Sequence, residues 1–249
     1  MEVAAQTAGL GGGGTPGIGR GAAPLLRSAA MSSTGLADVV PEGARRVGIF
    51  GGTFDPPHNG HLTVAASARH ALDLDVVLLV VAGEPWQKVG DRAISSAADR
   101  LAMVQQLCAH TDGVEACDLE VRRPGPSYTA DSLGELAAPG RTLFLVLGRD
   151  AAGGLPTWSR VDEVRSLCVP VLVDRPGVEA PPLPVGWSWQ RVEIPRLDVS
   201  STELRGRVAS GQPLDGLVPP GVITCIDERR LYGGRAPGAG ARAARRGPR

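Results

Sequence analysis

A doubly wound α/β domain, a parallel sheet with helices on both faces, is predicted by three observations. Short and nearly continuous apolar runs, at residues 76–81 and 142–147, have the length and branched content of strands buried on both sides. Segments with helical caps and helical apolar spacing alternate with those runs, which fits a Rossmann-like sheet. Turns follow several of the strands at Gly51-Gly52, Gly83-Glu84-Pro85-Trp86, Gly148-Arg149-Asp150 and Asp174-Arg175. They converge on the carboxyl edge, where sheets of this kind bind ligands.

The first strand is Val47-Gly48-Ile49-Phe50, and Gly51-Gly52 after it lets the backbone turn tightly and come close to a ligand. Pro56-Pro57 stops the strand. A helix starting near residues 58 to 60 aims its unpaired N–H groups and positive dipole end at the mouth of the turn, a ready anion site. His58 and His61, three residues apart, can both face it. After the strand at 76–81, Ser96-Ala97-Ala98-Asp99 opens a helix that reaches His110, with Ala97, Leu101, Val104 and Cys108 as its apolar stripe. Residues 114–121 read as a strand, 129–138 as a short helix, 142–147 as a buried strand, and 169–173 and 191–194 as two more. Ser200-Ser201-Thr202-Glu203 caps a helix ending near Ser210-Gly211, and Pro219 opens the last one.

The flanks differ. Residues 1–44 are Gly-, Ala-, Ser- and Pro-rich without periodicity and are expected to be disordered, and translation starting at Met31 would leave 1–30 as a misassigned extension. Residues 233–249 carry Arg235, Arg242, Arg245, Arg246 and Arg249 with no acidic residue, which reads as a disordered basic tail. The folded domain is therefore expected over 45–232. In a 249-residue chain of 43% hydrophobic composition and zero formal net charge, nothing points to nucleic acid as a partner. The longest apolar run, 76–83, is strand-sized, so no membrane span is expected, and the N-terminus does not resemble a signal peptide. Cys108, Cys117, Cys168 and Cys225 are widely spaced, which suits reduced thiols in a cytoplasmic protein. Homo-oligomerisation stays open.

Gly51-Gly52-Thr53-Phe54-Asp55-Pro56 followed by His58-Asn59-Gly60-His61 resembles the signature of the HxGH nucleotidyltransferases. Val199-Ser200-Ser201-Thr202-Glu203-Leu204-Arg205 is similar to that superfamily's second phosphate motif. With Pro85-Trp86-Gln87-Lys88, Ser127-Tyr128-Thr129, Leu147-Gly148-Arg149-Asp150 and Leu155-Pro156-Thr157-Trp158 between them, residues 46–232 resemble the nicotinate-nucleotide adenylyltransferase family. The resemblance implies transfer of the adenylyl group of ATP, with Mg2+, to nicotinate mononucleotide. His58, His61 and Arg205 would be catalytic. Gly51, Gly52, Thr53, Phe54, Gly148, Asp150, Ser200, Ser201 and Thr202 would join them around ATP. Thr53, Trp86, Lys88, Tyr128, Thr129 and Trp158 would hold the mononucleotide, with Trp158 stacked on its ring. No protein ligand to a metal is implied.

Each assignment has a plainer rival. His58 and His61 could be a surface pair or two metal ligands, Ser200-Glu203 a simple cap, Trp158 a packing anchor and Asp150 a helix cap. Gln87 and Arg149 depart from the family's usual residues. Nicotinamide mononucleotide or phosphopantetheine as acceptor, or a nucleotide sensor without turnover, are the competing functions.

Overall fold

The computed structural model describes residues 40–85, 94–174 and 182–233. Trp86, Lys88, Met31 and most of both expected tails lie outside these residues. Six strands, β1 (Arg46–Gly52), β2 (Val76–Val81), β3 (Val114–Cys117), β4 (Thr142–Gly148), β5 (Val169–Asp174) and β6 (Gln190–Glu193), pair in parallel in the order β3-β2-β1-β4-β5-β6. The direction of winding reverses between β1 and β4, so the crevice beyond their carboxyl ends is the ligand position of this topology.

The side-chain period of two sorts the strands onto two cores. Val76, Leu78 and Val80 pack with Val47, Ile49, Leu143, Leu145 and Leu172 on one face. Val77, Leu79 and Val81 pack with Phe144, Val146, Val171 and Val192 on the other. Helices α1 (Asn59–Ala71), α2 (Ala97–Cys108), α7 (Ser201–Ala209) and α8 (Pro220–Glu228) cover the second face through Val64, Ala68, Met103, Val104, Leu107, Leu204, Val222 and Ile226. Helices α3 (Leu119–Arg122), α4 (Thr129–Leu136), α5 (Arg149–Gly154) and α6 (Val161–Leu167) cover the first through Leu119, Ala130, Leu133, Leu136, Ala152 and Val164. Helices on both faces explain why β2 is apolar at every position, each of its residues being buried. Val40, inside the expected N-terminal extension, is also buried in the first core.

Several expected boundaries shift. The strand expected over 114–121 ends at Cys117, because Asp118 pairs with Arg122 at 3.0 Å and the chain turns into α3. Helix α4 stops at Leu136 rather than 138, where Ala137 adopts ψ 135° ahead of Pro139. The buried stripe of α2 is Arg100, Met103, Val104, Leu107 and Cys108, and Ala97 and Leu101 are only partly covered. The stripe is rotated because an arginine, treated as solvent-facing by hydropathy, points inward.

All four cysteines are free, with Cys108 and Cys117 buried and Cys168 and Cys225 half-buried. Cys108 and Cys225 belong to one core, Cys117 and Cys168 to the other. Burial pushes the thiols of Cys108, Cys117 and Cys168 up to about 12. Among the described residues no helix is long and apolar enough to cross a membrane.

Candidate active site

Gly51 and Gly52 are the last residues of β1, still paired with Val80 and Val81, and neither has a positive φ. The expected glycine turn is thus a strand end, and the sharp reversal falls on Phe54, at φ 52°. Gly52 is required for space: a Cβ there would come within 2.8 Å of Phe54 Cζ. At Gly51 a Cβ would meet nothing within 4 Å, so this glycine opens onto the crevice. The buried Phe54 ring stands edge-on to His61 at 5.0 Å and to Phe50 at 5.8 Å.

His58 occupies the N-cap of α1 in extended backbone and is 5% exposed. Its ring stacks on that of His61 with centroids 3.7 Å apart, and its backbone N–H donates to His61 Nδ1 at 3.1 Å. With Nδ1 accepting, a neutral His61 carries its proton on Nε2 and presents a donor there. A Cβ on Gly60 would lie 2.9 Å from His58 Nδ1 and 3.1 Å from Val199 Cγ1, so only glycine lets the capping imidazole and the Val199 side chain, in the loop before α7, approach so closely.

The second motif docks on this loop. Ser200 Oγ accepts from the Glu203 N–H at 3.2 Å, a plain cap. Ser201 Oγ donates to the Pro56 carbonyl at 2.8 Å. Arg205 donates from Nη1 to the Asp55 carbonyl at 2.8 Å and from Nη2 to Thr202 Oγ1 at 3.0 Å. Asn59 ties the same turn to the chain before α8, its N–H and Nδ2 donating to the carbonyls of Leu217 and Gly216, each at 2.9 Å.

Beside this loop lies a cavity of about 280 Å³ lined by Gly51, Gly52, Thr53, Tyr128, Thr129, Trp158 and others. The structure therefore brings together Thr53, Tyr128, Thr129 and Trp158. His58, His61 and Arg205 are not part of the lining. Gly148 caps α5 and Asp150 sits exposed in its first turn, while their neighbours Leu147 and Ala151 reach the cavity. The long Arg149 is turned away onto Asp174 at 2.8 Å.

Three residues escape the sequence reading. Arg100, 1% exposed, donates to the carbonyls of Ser95, Thr53 and Gly83 at 3.0, 2.9 and 3.0 Å, bridging the loops after β1 and β2. Burial lowers its pKa, and the charge of Asp55 opposes that shift. Glu120 is the one formally charged side chain among the described lining residues; it is 8% exposed and accepts from Ser132 Oγ at 2.6 Å. Tyr232 donates to Asp55 Oδ1 at 2.6 Å. Only Arg100 left a trace in the sequence, as the polar residue interrupting an apolar helix face.

Among the described residues no group of three or more His, Cys, Asp or Glu is placed to hold a metal ion, and His70 and His110 are exposed. His58 is the N-cap of α1, with His61 stacked on it.

A parallel sheet reversing between β1 and β4, with a histidine-capped helix and an Arg-bearing helix meeting at that point, defines a nucleotide-binding α/β protein of the nucleotidyltransferase class. Residues 49–207 match the family described as cytidylyltransferase-like. A protein of Saccharopolyspora erythraea named probable nicotinate-nucleotide adenylyltransferase is 40% identical over 200 residues, covering 79% of this chain and 93% of that protein. One of the same name from Streptomyces coelicolor is 42% identical over 189 residues, 74% of this chain and all of the relative. The fold is shared with the Plasmodium falciparum nicotinic acid mononucleotide adenylyltransferase complexed with NaAD, at TM-score 0.61 and 18% identity over 77% of this chain and 98% of that one. The chain belongs to the cytidylyltransferase-like family and, within it, to the nicotinate-nucleotide adenylyltransferases; it is a nucleotidyltransferase.

Proposed function

We propose that the protein transfers the adenylyl group of ATP to nicotinate mononucleotide, giving nicotinate adenine dinucleotide and pyrophosphate in NAD biosynthesis. The observation that carries this reading is the juxtaposition of two features at one strand edge: a cavity lined by Tyr128, Thr129 and Trp158, and the stacked His58-His61 pair at the start of α1. A mononucleotide phosphate oxygen attacks the α-phosphorus of ATP, and the bond from that phosphorus to the bridging oxygen of pyrophosphate breaks. Such transfers need positioning and charge stabilisation and no covalent enzyme intermediate.

In this reading His58 and His61 donate to phosphate oxygens, and Arg205, Ser201 and Thr202 flank the triphosphate from α7. Gly51, Gly52, Thr53 and Phe54 form the floor, with Gly148, Asp150 and Ser200 on the ATP side. Trp158 stacks on the pyridine ring, and Tyr128, Thr129 and Thr53 hold its carboxylate end; Trp86 and Lys88 complete the acceptor side. ATP enters as its magnesium complex, the ion being carried by phosphate oxygens and water. The activity is assigned to residues 45–232. Free cysteines fit a cytoplasmic setting.

The test is pyrophosphate release by the purified chain with magnesium and ATP, comparing nicotinate mononucleotide, nicotinamide mononucleotide and phosphopantetheine at equal concentration. Strong preference for the first is expected. Preference for another acceptor overturns the pocket assignment, and ATP binding with no release from any of the three would make the protein a sensor.

A further inference from the structure

We propose that Tyr232 is a positioning residue for this reaction, holding the phosphate loop at 53–56 through the buried carboxylate of Asp55; the proposal rests on the function assigned above. Side chains from distant elements grip this loop at successive points. Arg100 donates to the Thr53 carbonyl at 2.9 Å, Arg205 to the Asp55 carbonyl at 2.8 Å and Ser201 to the Pro56 carbonyl at 2.8 Å. The Asp55 side chain, 2% exposed, is the fourth handle, and Tyr232 Oη donates to its Oδ1 at 2.6 Å from the last described turn, Leu231–Gly233.

The loop has a physical need for these grips. Phe54 holds φ 52°, a left-handed backbone that a bulky side chain rarely adopts, and it is this backbone that stands its ring against His61 at 5.0 Å. Released, Phe54 would relax toward the β region and His61 would lose the wall that orients it. Tyr232 itself holds φ 58°, and its partner Asp55 directly follows the strained Phe54. Burial, and then the bond to Asp55, raises the pKa of the phenol, so the donor proton stays in place through neutral pH. Tyr232 is not in the lining of the acceptor cavity, and its grip falls on Asp55, two residues past the lining residue Thr53, which Arg100 holds separately, so its effect is expected on turnover more than on acceptor binding.

The experiment compares the full chain with Tyr232→Phe, Asp55→Asn and the double variant, using ATP and nicotinate mononucleotide. Tyr232→Phe keeps the ring packing, and its kcat is expected to fall at least about tenfold, the scale of a lost hydrogen bond to a charged group. KM for the mononucleotide is expected to stay within about twofold of wild type. In the Asp55→Asn background, where an amide oxygen still accepts from Tyr232 but carries no charge, the same change should cost clearly less than it does in the wild type. A wild-type kcat in Tyr232→Phe, losses that multiply in the double variant, or a loss that only tracks the unfolded fraction in a thermal melt would each overturn the proposal. If Asp55→Asn does not fold, the split between kcat and KM in Tyr232→Phe decides alone. A wild-type chain that releases no pyrophosphate refutes the assigned reaction first, and that outcome needs no variant to be recognised.

Discussion

His61 is held by its Nδ1, which accepts the His58 N–H, so the neutral ring carries its donor on Nε2. Replacing His61 by Asn supplies a similarly placed acceptor and removes the distal donor. Turnover of His61→Asn should drop by about a hundredfold or more, as for other lost oxyanion donors, with a melting temperature close to wild type. Near-normal turnover would remove His61 from the chemistry. Trp158→Ala should raise KM for the mononucleotide by about tenfold while leaving KM for ATP nearly unchanged, since the indole lines the acceptor cavity and packs on the core behind it. A steady-state titration of each substrate separates these outcomes. At this scale the histidines, Ser201, Arg205, Tyr128 and Trp158 were legible because they lie in short local patterns. Arg100 was not, because a buried arginine reads as a solvent-facing residue until its three carbonyl partners are seen. Tyr232 was not either, since nothing local marks a partner 177 residues away.

The three glycines of β1 separate stability from function. A methyl on Gly48 would come within 2.9 Å of Leu74 Cδ1 and Val77 Cγ2, deep in the core between β1 and its neighbour. One on Gly52 would press on the Phe54 ring at 2.8 Å, and one on Gly51 would project into open space. Gly48→Ala is therefore expected to lower the melting temperature, with overpacking costing about 1–3 kcal/mol. Gly52→Ala should reduce kcat more than it reduces stability, because the displaced ring is the one beside His61. Gly51→Ala should melt like wild type. Equal stability losses in all three would contradict the assignment of separate roles. The strands were readable as elements because burial on both faces leaves uninterrupted apolar runs. Helices α5 and α6 were not, one ending in Gly153-Gly154 and the other entered through Arg160 at φ 54°.

For the whole molecule, the topology followed from the alternation of strands and helices, but the strand order required the pairing itself, since spacing does not reveal where winding reverses. The start of the sheet is pinned by Asp75, whose Oδ2 accepts the N–H groups of Arg46 at 2.8 Å and Arg45 at 2.7 Å. These bonds hold its carboxyl below the ordinary value. A carboxyl depressed in the folded state adds stability that is full above the unfolded value near ~4 and lost as pH falls through the folded value. Asp75→Asn should thus melt below wild type at neutral pH, with the gap closing toward about pH 3. A gap independent of pH would mean that shape and not charge matters there. The placement of the thiols adds a reporter of a different kind. Cys108 and Cys225 stand on α2 and α8 and pack into one core, Cys117 and Cys168 belong to the other, and burial keeps all four poorly ionised. Since only a thiolate alkylates readily, iodoacetamide should mark each pair as its own side of the sheet opens, so unequal rates for the two pairs would report that one layer loosens before the other.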